Sequence, residues 1–241
     1  MHTLNLRHLL HLLRRQIVLV ACLAVSVQGF SQGYNFLGSY DTRPYYFGIT
    51  LAYNNSFYKM EHLPKFLADD SLLVTEPLHS NGFNLGLLGN LSVAKHLDLR
   101  LNPNLVFAEK TMHYVFGQDS MTQDKNVESI LLSVPLQVKF KSDRINNFRM
   151  YLMAGAKFDY DLAANVRSRK AEDLLQLSPF DVGYEAGFGF EFYLPYFIFS
   201  PEIKISNGSR DIHLRQPGNI YSNTIGKLLS RMVVISIHLE G

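Results

Sequence analysis

Cysteine is almost missing from this chain. Its 241 residues hold one, Cys22, inside an N-terminal apolar stretch. A disulfide framework is thereby excluded. Charge is sparse too: Asp, Glu, Lys and Arg make up 18% of residues, and the formal charge is only +2. No basic excess marks a nucleic-acid binder. Outside the N-terminal region no apolar run is long enough for a membrane helix. A Gly-rich phosphate loop, Cys/His metal spacing, base-stacking motifs, internal repeats and low-complexity tracts are lacking as well. What remains is a chain that is 47% hydrophobic, too apolar for disorder, with a mean hydropathy of −0.01. A near-zero mean is what results when lipid-facing and water-facing residues alternate.

The N-terminus has the layout of a secretory signal. Arg7, Arg14 and Arg15 form a positive region, Ile17–Val27 an apolar one, and Gly29-Phe30-Ser31-Gln32 a processing zone. The expected organisation is a signal peptide over 1–32, a periplasmic lead-in over 33–44 and one domain over 45–241. Removing three Arg takes the formal charge from +2 to −1. Leu19-Val20-Ala21-Cys22 resembles a lipoprotein processing box. The apolar run continues past it through Leu23-Ala24-Val25, which favours an inert signal-peptide cysteine over an acylated one.

From Tyr45 onward, period-2 patterning dominates. Tyr45, Phe47, Ile49, Leu51 and Tyr53 fall on one face, and Tyr46, Gly48, Thr50, Ala52 and Asn54 on the other. The same alternation recurs over Phe83–Ala94, Leu97–Ala108, Ile130–Phe140, Phe148–Leu162, Val182–Leu194, Phe197–Ser206 and from Leu229 to Leu239. Pro103 predicts a bulge, because it removes a ladder donor. The gaps alternate in length. Lys95-His96, Ser142–Asn147 and Pro195-Tyr196 are tight turns. Met60–Gly82, Glu109–Val127, Ala163–Asp181 and Asn207–Leu228 are expected as long loops.

About eight strands, with short turns at one end and long loops at the other, predict an all-β protein: an eight-stranded antiparallel transmembrane β-barrel of the outer membrane. A lipocalin has the same alternation turned inside out. The loop asymmetry favours the membrane barrel. So do the small polar inner face and the aromatics near strand ends, Tyr45, Phe107, Phe148, Tyr160, Phe192 and Phe197. An even strand number puts both termini on the short-turn side, the periplasm, and the long loops outside.

Asp41-Thr42-Arg43-Pro44-Tyr45-Tyr46-Phe47-Gly48-Ile49 resembles the first-strand entry of the PorT family. The block from Gly82-Phe83-Asn84-Leu85-Gly86 through Gly89-Asn90-Leu91 to Leu97-Asp98-Leu99-Arg100 and Pro103 is similar to that family too, as is Phe107-Ala108-Glu109-Lys110. The resemblance covers most of the chain beyond the signal and is most specific over Asp41–Lys110. The chain ends His238-Leu239-Glu240-Gly241 and not in an aromatic, so the usual barrel-assembly signal is matched only in part. The resemblance implies a small outer-membrane barrel of Bacteroidetes-type bacteria, required for protein export by the type IX secretion system and in some members for gliding motility. It implies a pathway and no catalytic residue.

Asp98 and His238 fall on the polar face, and the charged residues singled out there as the lumen-facing set include Arg100, Lys139, Arg149, Lys157, Asp159, Glu185, Glu191, Glu202 and Lys204. In so narrow a barrel they are expected to pair and fill the lumen as a structural core; a proton- or ion-responsive network is the functional alternative. Glu185 and Glu191 share a face but lack a sugar cleft. His62, His79, His113 and His213 fall in expected external loops without zinc spacing. Arg167-Ser168-Arg169-Lys170 reads as a solvated loop, with anionic lipopolysaccharide as the functional alternative. Ser209 and His213 lie near each other, with nothing to orient them as a lipase-type pair. The expected partners are outer-membrane lipid and other type IX components. Neither an enzyme, a cofactor, a metal nor nucleic acid is expected. Asp41, Arg43 and Tyr45 of the lead-in are the candidate partner contacts. The alternatives are a generic adhesion or lipid-binding barrel, or a soluble periplasmic lipocalin-like binder.

Overall fold

The computed structural model describes residues 36–62, 72–116, 122–163, 177–214 and 225–241, all within one unit, Phe36–Gly241. The expected signal peptide, Cys22 and Arg167–Lys170 lie outside these residues. Strands β1 (Tyr45–His62), β2 (Leu72–Leu78), β3 (Ser80–Ala94), β4 (Leu97–Leu101), β5 (Asn104–Phe116), β6 (Thr122–Lys141), β7 (Phe148–Asp161), β8 (Phe180–Tyr193), β9 (Ile198–Gly208) and β10 (Ile225–Glu240) form one antiparallel sheet. β1 pairs with β10 on one side and β3 on the other, so the sheet closes on itself.

Ten segments make eight staves. β4 and β5 are one stave broken at Asn102-Pro103, where the missing proline donor interrupts the ladder. The Pro103 carbonyl still accepts from Leu87 N at 3.0 Å. β2 is an addition above the barrel, paired with β5.

Two expected long loops are corrected here. β1 runs on to His62, and β2 occupies Leu72–Leu78 of the stretch Met60–Gly82. β5 runs to Phe116 and β6 starts at Thr122, so most of Glu109–Val127 is hairpin. Beyond the barrel wall an extension need not present a greasy face, so it keeps backbone pairing without the alternation that reveals a strand.

Side chains follow the pleat. Tyr45, Phe47, Ile49, Leu51 and Tyr53 point outward and are each about half exposed or more, while Thr50 and Asn54 are at most 2% exposed. The other staves repeat this inversion at most positions, with apolar residues outside and polar ones buried. An apolar wall of this extent is untenable in water. Leu229 was expected on that outer face and is buried instead, close to the long-loop rim. Aromatic clusters mark two heights. Near the short turns are Tyr45 with Phe47 and Phe148 with Phe190 and Phe192; near the long-loop rim are Phe83 with Phe107 and Tyr160 with Phe180.

Candidate functional site

The lumen is a packed polar core. Each buried charge there costs several kcal/mol unless paired, and the staves supply partners. On β4, Arg100 donates from Nη1 to Glu202 Oε2 of β9 at 2.7 Å and from Nε to Asn90 Oδ1 at 3.0 Å. Tyr151 of β7 donates to the same Glu202 oxygen at 2.9 Å. Glu240 lies 3.6 Å from Arg100, and His238 3.5 Å from Glu202. His238 Nδ1 also meets Thr50 Oγ1 at 2.9 Å.

Toward the short turns, Lys139 pairs with Glu191, which also accepts from Tyr193 Oη at 2.8 Å. Arg149 reaches Glu191 at 3.7 Å. Lys141 pairs with Asp98 at 2.7 Å, and Tyr46 Oη donates to that carboxylate at 2.7 Å. Toward the other end, Glu185 takes Lys204 at 3.0 Å and Gln137 Nε2 at 2.6 Å. Lys157 bonds Asp159 at 2.7 Å, and Ser133 bonds the other oxygen of Asp159.

The structure therefore turns all nine of the charged residues singled out in the sequence inward. Arg149 sits at the short-turn mouth and the other eight are buried. Sequence reasoning left Asp98, Lys141, His238 and Glu240 out of that set, although each shares the inward parity of Ser92, Lys139 or Ser236. It also left out the apolar residues that bracket the charges. Val106, Ala108, Leu131, Met232 and Val234 form an inner cluster near the long-loop rim, and Tyr40, Tyr46, Tyr193 and Ile198 another at the short-turn mouth.

That second cluster contains the lead-in. A 3-10 helix, Gly38–Thr42, lays Tyr40 into the mouth, where it is 7% exposed and meets Tyr46 edge-on. Burial pushes the Tyr40 phenol above its ordinary pKa. Asp41 accepts from Arg149 at 2.7 Å and Arg144 at 3.3 Å. Asn147 Oδ1 accepts from Phe36 N at 2.9 Å, and Arg144 also donates to the Phe36 carbonyl. The guanidinium of Arg144 rests 3.7 Å above the Tyr193 ring. The lead-in was expected to be free to pair with another protein. Over Phe36–Pro44 it is latched to its own barrel, because Arg144 of the β6–β7 turn and Arg149 of β7 bind Asp41 while the nearby Arg43 turns onto the Tyr40 ring. Arg43 sits over the Tyr40 ring at 4.6 Å, and Tyr45 belongs to the outer wall.

The histidines are dispersed. His62 ends β1 and His113 lies in β5, not in loops. His79 Nδ1 meets Asn55 Oδ1 at 2.9 Å, and His213 is buried beside Leu177. Ser209 is exposed and gives its N–H to the Val182 carbonyl. Among the described residues no three His, Cys, Asp or Glu side chains stand together as a metal site.

Residues 29–213 match the family described as outer membrane protein beta-barrel domain. The chain belongs to that family. It is an outer-membrane β-barrel, and its apolar wall faces lipid. No curated protein matches it. Among solved structures it is similar to the outer membrane protein OprG from Pseudomonas aeruginosa, at 15% identity over 82% of this chain and 95% of that one, with a TM-score of 0.49. It is also similar to Ail, the attachment invasion locus protein of Yersinia pestis, in complex with the heparin analogue sucrose octasulfate. The identity there is 14% over 83% of this chain and 100% of that one, with a TM-score of 0.36. Neisserial surface protein A shares 12% identity over 80% of this chain and 96% of that one, with a TM-score of 0.39.

Proposed function

We propose that this barrel is a non-enzymatic component of the type IX secretion machinery, required for protein export and, in some hosts, for gliding motility. In this reading the short-turn mouth faces the periplasm and the long-loop end faces outward. The barrel acts through contacts with other parts of the machine and turns over no substrate.

The observation that carries the reading is the filled lumen. Arg100, Lys139, Glu191 and Glu202 are buried and bonded across the barrel. A core of cross-linked charges leaves the rims, the latched lead-in and the outer wall as the surfaces on which to act. The PorT-like stretch Asp41–Lys110 supplies the pathway. It includes the latch residue Asp41 and the lumen residues Asp98 and Arg100. Arg43, exposed beside the latch, and the turn tips Ile145 and Tyr196 offer the short-turn contacts.

The test is a clean deletion scored for cargo in the periplasm, with membrane fractionation of a tagged copy. Accumulation of unprocessed cargo, reversed by the wild-type gene, is expected. Cargo that leaves and attaches normally in the deletion would sink the secretion role while leaving the outer-membrane barrel standing.

A further inference from the structure

Near the short turns the outer wall carries a groove of about 370 Å³. Phe140 of β6, Met150 and Leu152 of β7, and Phe188 and Phe190 of β8 line it, and Ser142 stands at its short-turn end. Register explains the gap. Phe140, Leu152 and Phe188 form one outward row across the three staves, and Met150 and Phe190 belong to the next. Beside Met150, Ser142 takes the position where β6 would continue that row. Its N–H donates to the Met150 carbonyl at 2.9 Å, and its Oγ accepts from Met150 N at 3.1 Å. A hydroxymethyl group is too small to extend the wall there. On the other flank Phe190 gathers with Phe148 and Phe188, at ring separations of 5.8 and 6.1 Å. The volume lies in the range of pockets that hold small molecules.

A charged lip adjoins the groove. Asp143, next to Ser142, pairs with Lys95 of the β3–β4 turn at 2.9 Å, and both side chains are mostly exposed. His96 Nε2 lies 3.8 Å from the same carboxylate oxygen, and the His96 ring 6.3 Å from the Phe140 ring. Arg144, the next cation along the turn, is committed to Asp41 and Phe36 of the lead-in. With His96 neutral, the lip offers one cation and one anion.

The three staves are hydrogen-bonded to one another along the groove, so no backbone row is left there for a further strand. The wall around it stands in lipid. Lipid tails are as apolar as the wall, so an acyl chain gains packing in the groove but no hydrophobic drive. Selection among lipids therefore falls to the lip. A headgroup with one phosphate and one ammonium matches Lys95 and Asp143. Phosphatidylglycerol and lipopolysaccharide bring net negative charge, which Asp143 opposes. We propose that the groove holds an acyl chain of one phosphatidylethanolamine, with its phosphate at Lys95 and its ammonium at Asp143. The inference depends on the wall facing lipid. It depends neither on the type IX reading nor on which leaflet the short turns face.

Native mass spectrometry tests it on the mature barrel in detergent, with phosphatidylethanolamine, phosphatidylglycerol or lipopolysaccharide supplied singly. One phosphatidylethanolamine should be retained, about tenfold more than either anionic lipid. Ser142→Phe, which fills the groove, should abolish that retention. Asp143→Lys leaves two cations at an exposed turn and should move the preference to phosphatidylglycerol. Urea midpoints confirm that each variant is folded, and if Ser142→Phe is not, Asp143→Lys decides alone. Several outcomes overturn the proposal. Equal retention of the three lipids would mean ordinary wall lipid, and a preference for lipopolysaccharide would mean the wrong headgroup. A preference that a folded variant leaves unchanged would mean that the lipid sits elsewhere. Retention only after residues 33–35 are removed would mean that the chain's own N-terminal residues fill the groove.

Discussion

Tyr151 fills the space that Gly189 leaves open. The two are register neighbours on β7 and β8, and a Cβ on Gly189 would lie 2.5 Å from the Tyr151 Cζ and closer still to its hydroxyl. In that seat Tyr151 donates to Glu202 at 2.9 Å and spreads its face beneath Lys139 Nζ at 4.2 Å. Gly189→Ala should unseat the ring and destabilise the barrel by about 1–3 kcal/mol, the usual cost of overpacking. Tyr151→Phe keeps the ring and should cost about 1.5–3 kcal/mol, because the hydrogen bond it loses is to a charged acceptor. Urea unfolding of the detergent-refolded barrel measures both. If Gly189→Ala unfolds at the wild-type midpoint, the ring is not held by that gap.

The Lys139–Glu191 pair separates two roles for a buried ion pair. Its partners are 0% and 1% exposed at the side chain. Lys139→Met alone strands a carboxylate and should cost about 3–5 kcal/mol. Lys139→Met with Glu191→Gln removes both charges and should recover most of that loss. The recovery would be incomplete, because Arg149 and Tyr193 also lean on Glu191. Equilibrium unfolding of the two single variants and the double variant gives the coupling. Strictly additive losses would mean that the pair does not act as a unit.

The latch predicts a change in protease access more than in stability. Asp41 keeps 38% of its side chain exposed, so its bonds to Arg149 and Arg144 are screened and should be worth about 1 kcal/mol. Asp41→Asn should speed cleavage within Phe36–Pro44 several-fold while leaving the unfolding midpoint nearly unchanged. Arg149→Gln should speed cleavage likewise, with an added loss of stability because Arg149 also leans on the buried Glu191. Cleavage at the wild-type rate in both variants would place the hold on the lead-in with Tyr40 and the Phe36 bonds to Asn147 and Arg144.

Much of this architecture is written in residue parity. Arg100, Lys139 and Glu202 could be placed inside because the pleat fixes each side chain's face one residue after another. The same rule, applied without regard to hydropathy, also puts Leu88, Val106, Leu131, Met153 and Val234 inside, where the structure buries them. Reading apolar as outward hides the inner clusters. The latch is illegible for a different reason. Asp41 and Arg149 stand 108 residues apart, and their meeting depends on how Tyr40 enters the mouth. β2 escaped notice because Leu72–Leu78 lacks alternation and contains Pro77, which argues against a central strand. Its pairing with β5 is long-range.

The outer wall makes the most direct prediction about the membrane. Leu136 sits within the apolar outer band of its stave, Ile130–Phe140, opposite Ala156, whereas Phe140 sits at the end of that band near the short turns, opposite Leu152. Both side chains are at least half exposed on the apolar face. A charge at the middle of the bilayer is costly, and near the interface it reaches headgroups and water. Leu136→Lys should therefore destabilise the barrel in bilayers by about 2–4 kcal/mol, and Phe140→Lys by about 0–1 kcal/mol from the charge itself. Loss of the Phe140 ring adds a separate packing cost, which Phe140→Ala measures and subtracts. Reversible unfolding from phospholipid vesicles provides the readout. Equal charge penalties at the two positions would mean that Leu136 does not lie deeper in lipid than Phe140. The tilt of the barrel, and with it the assignment of the two aromatic clusters to the two interfaces, would then have to change.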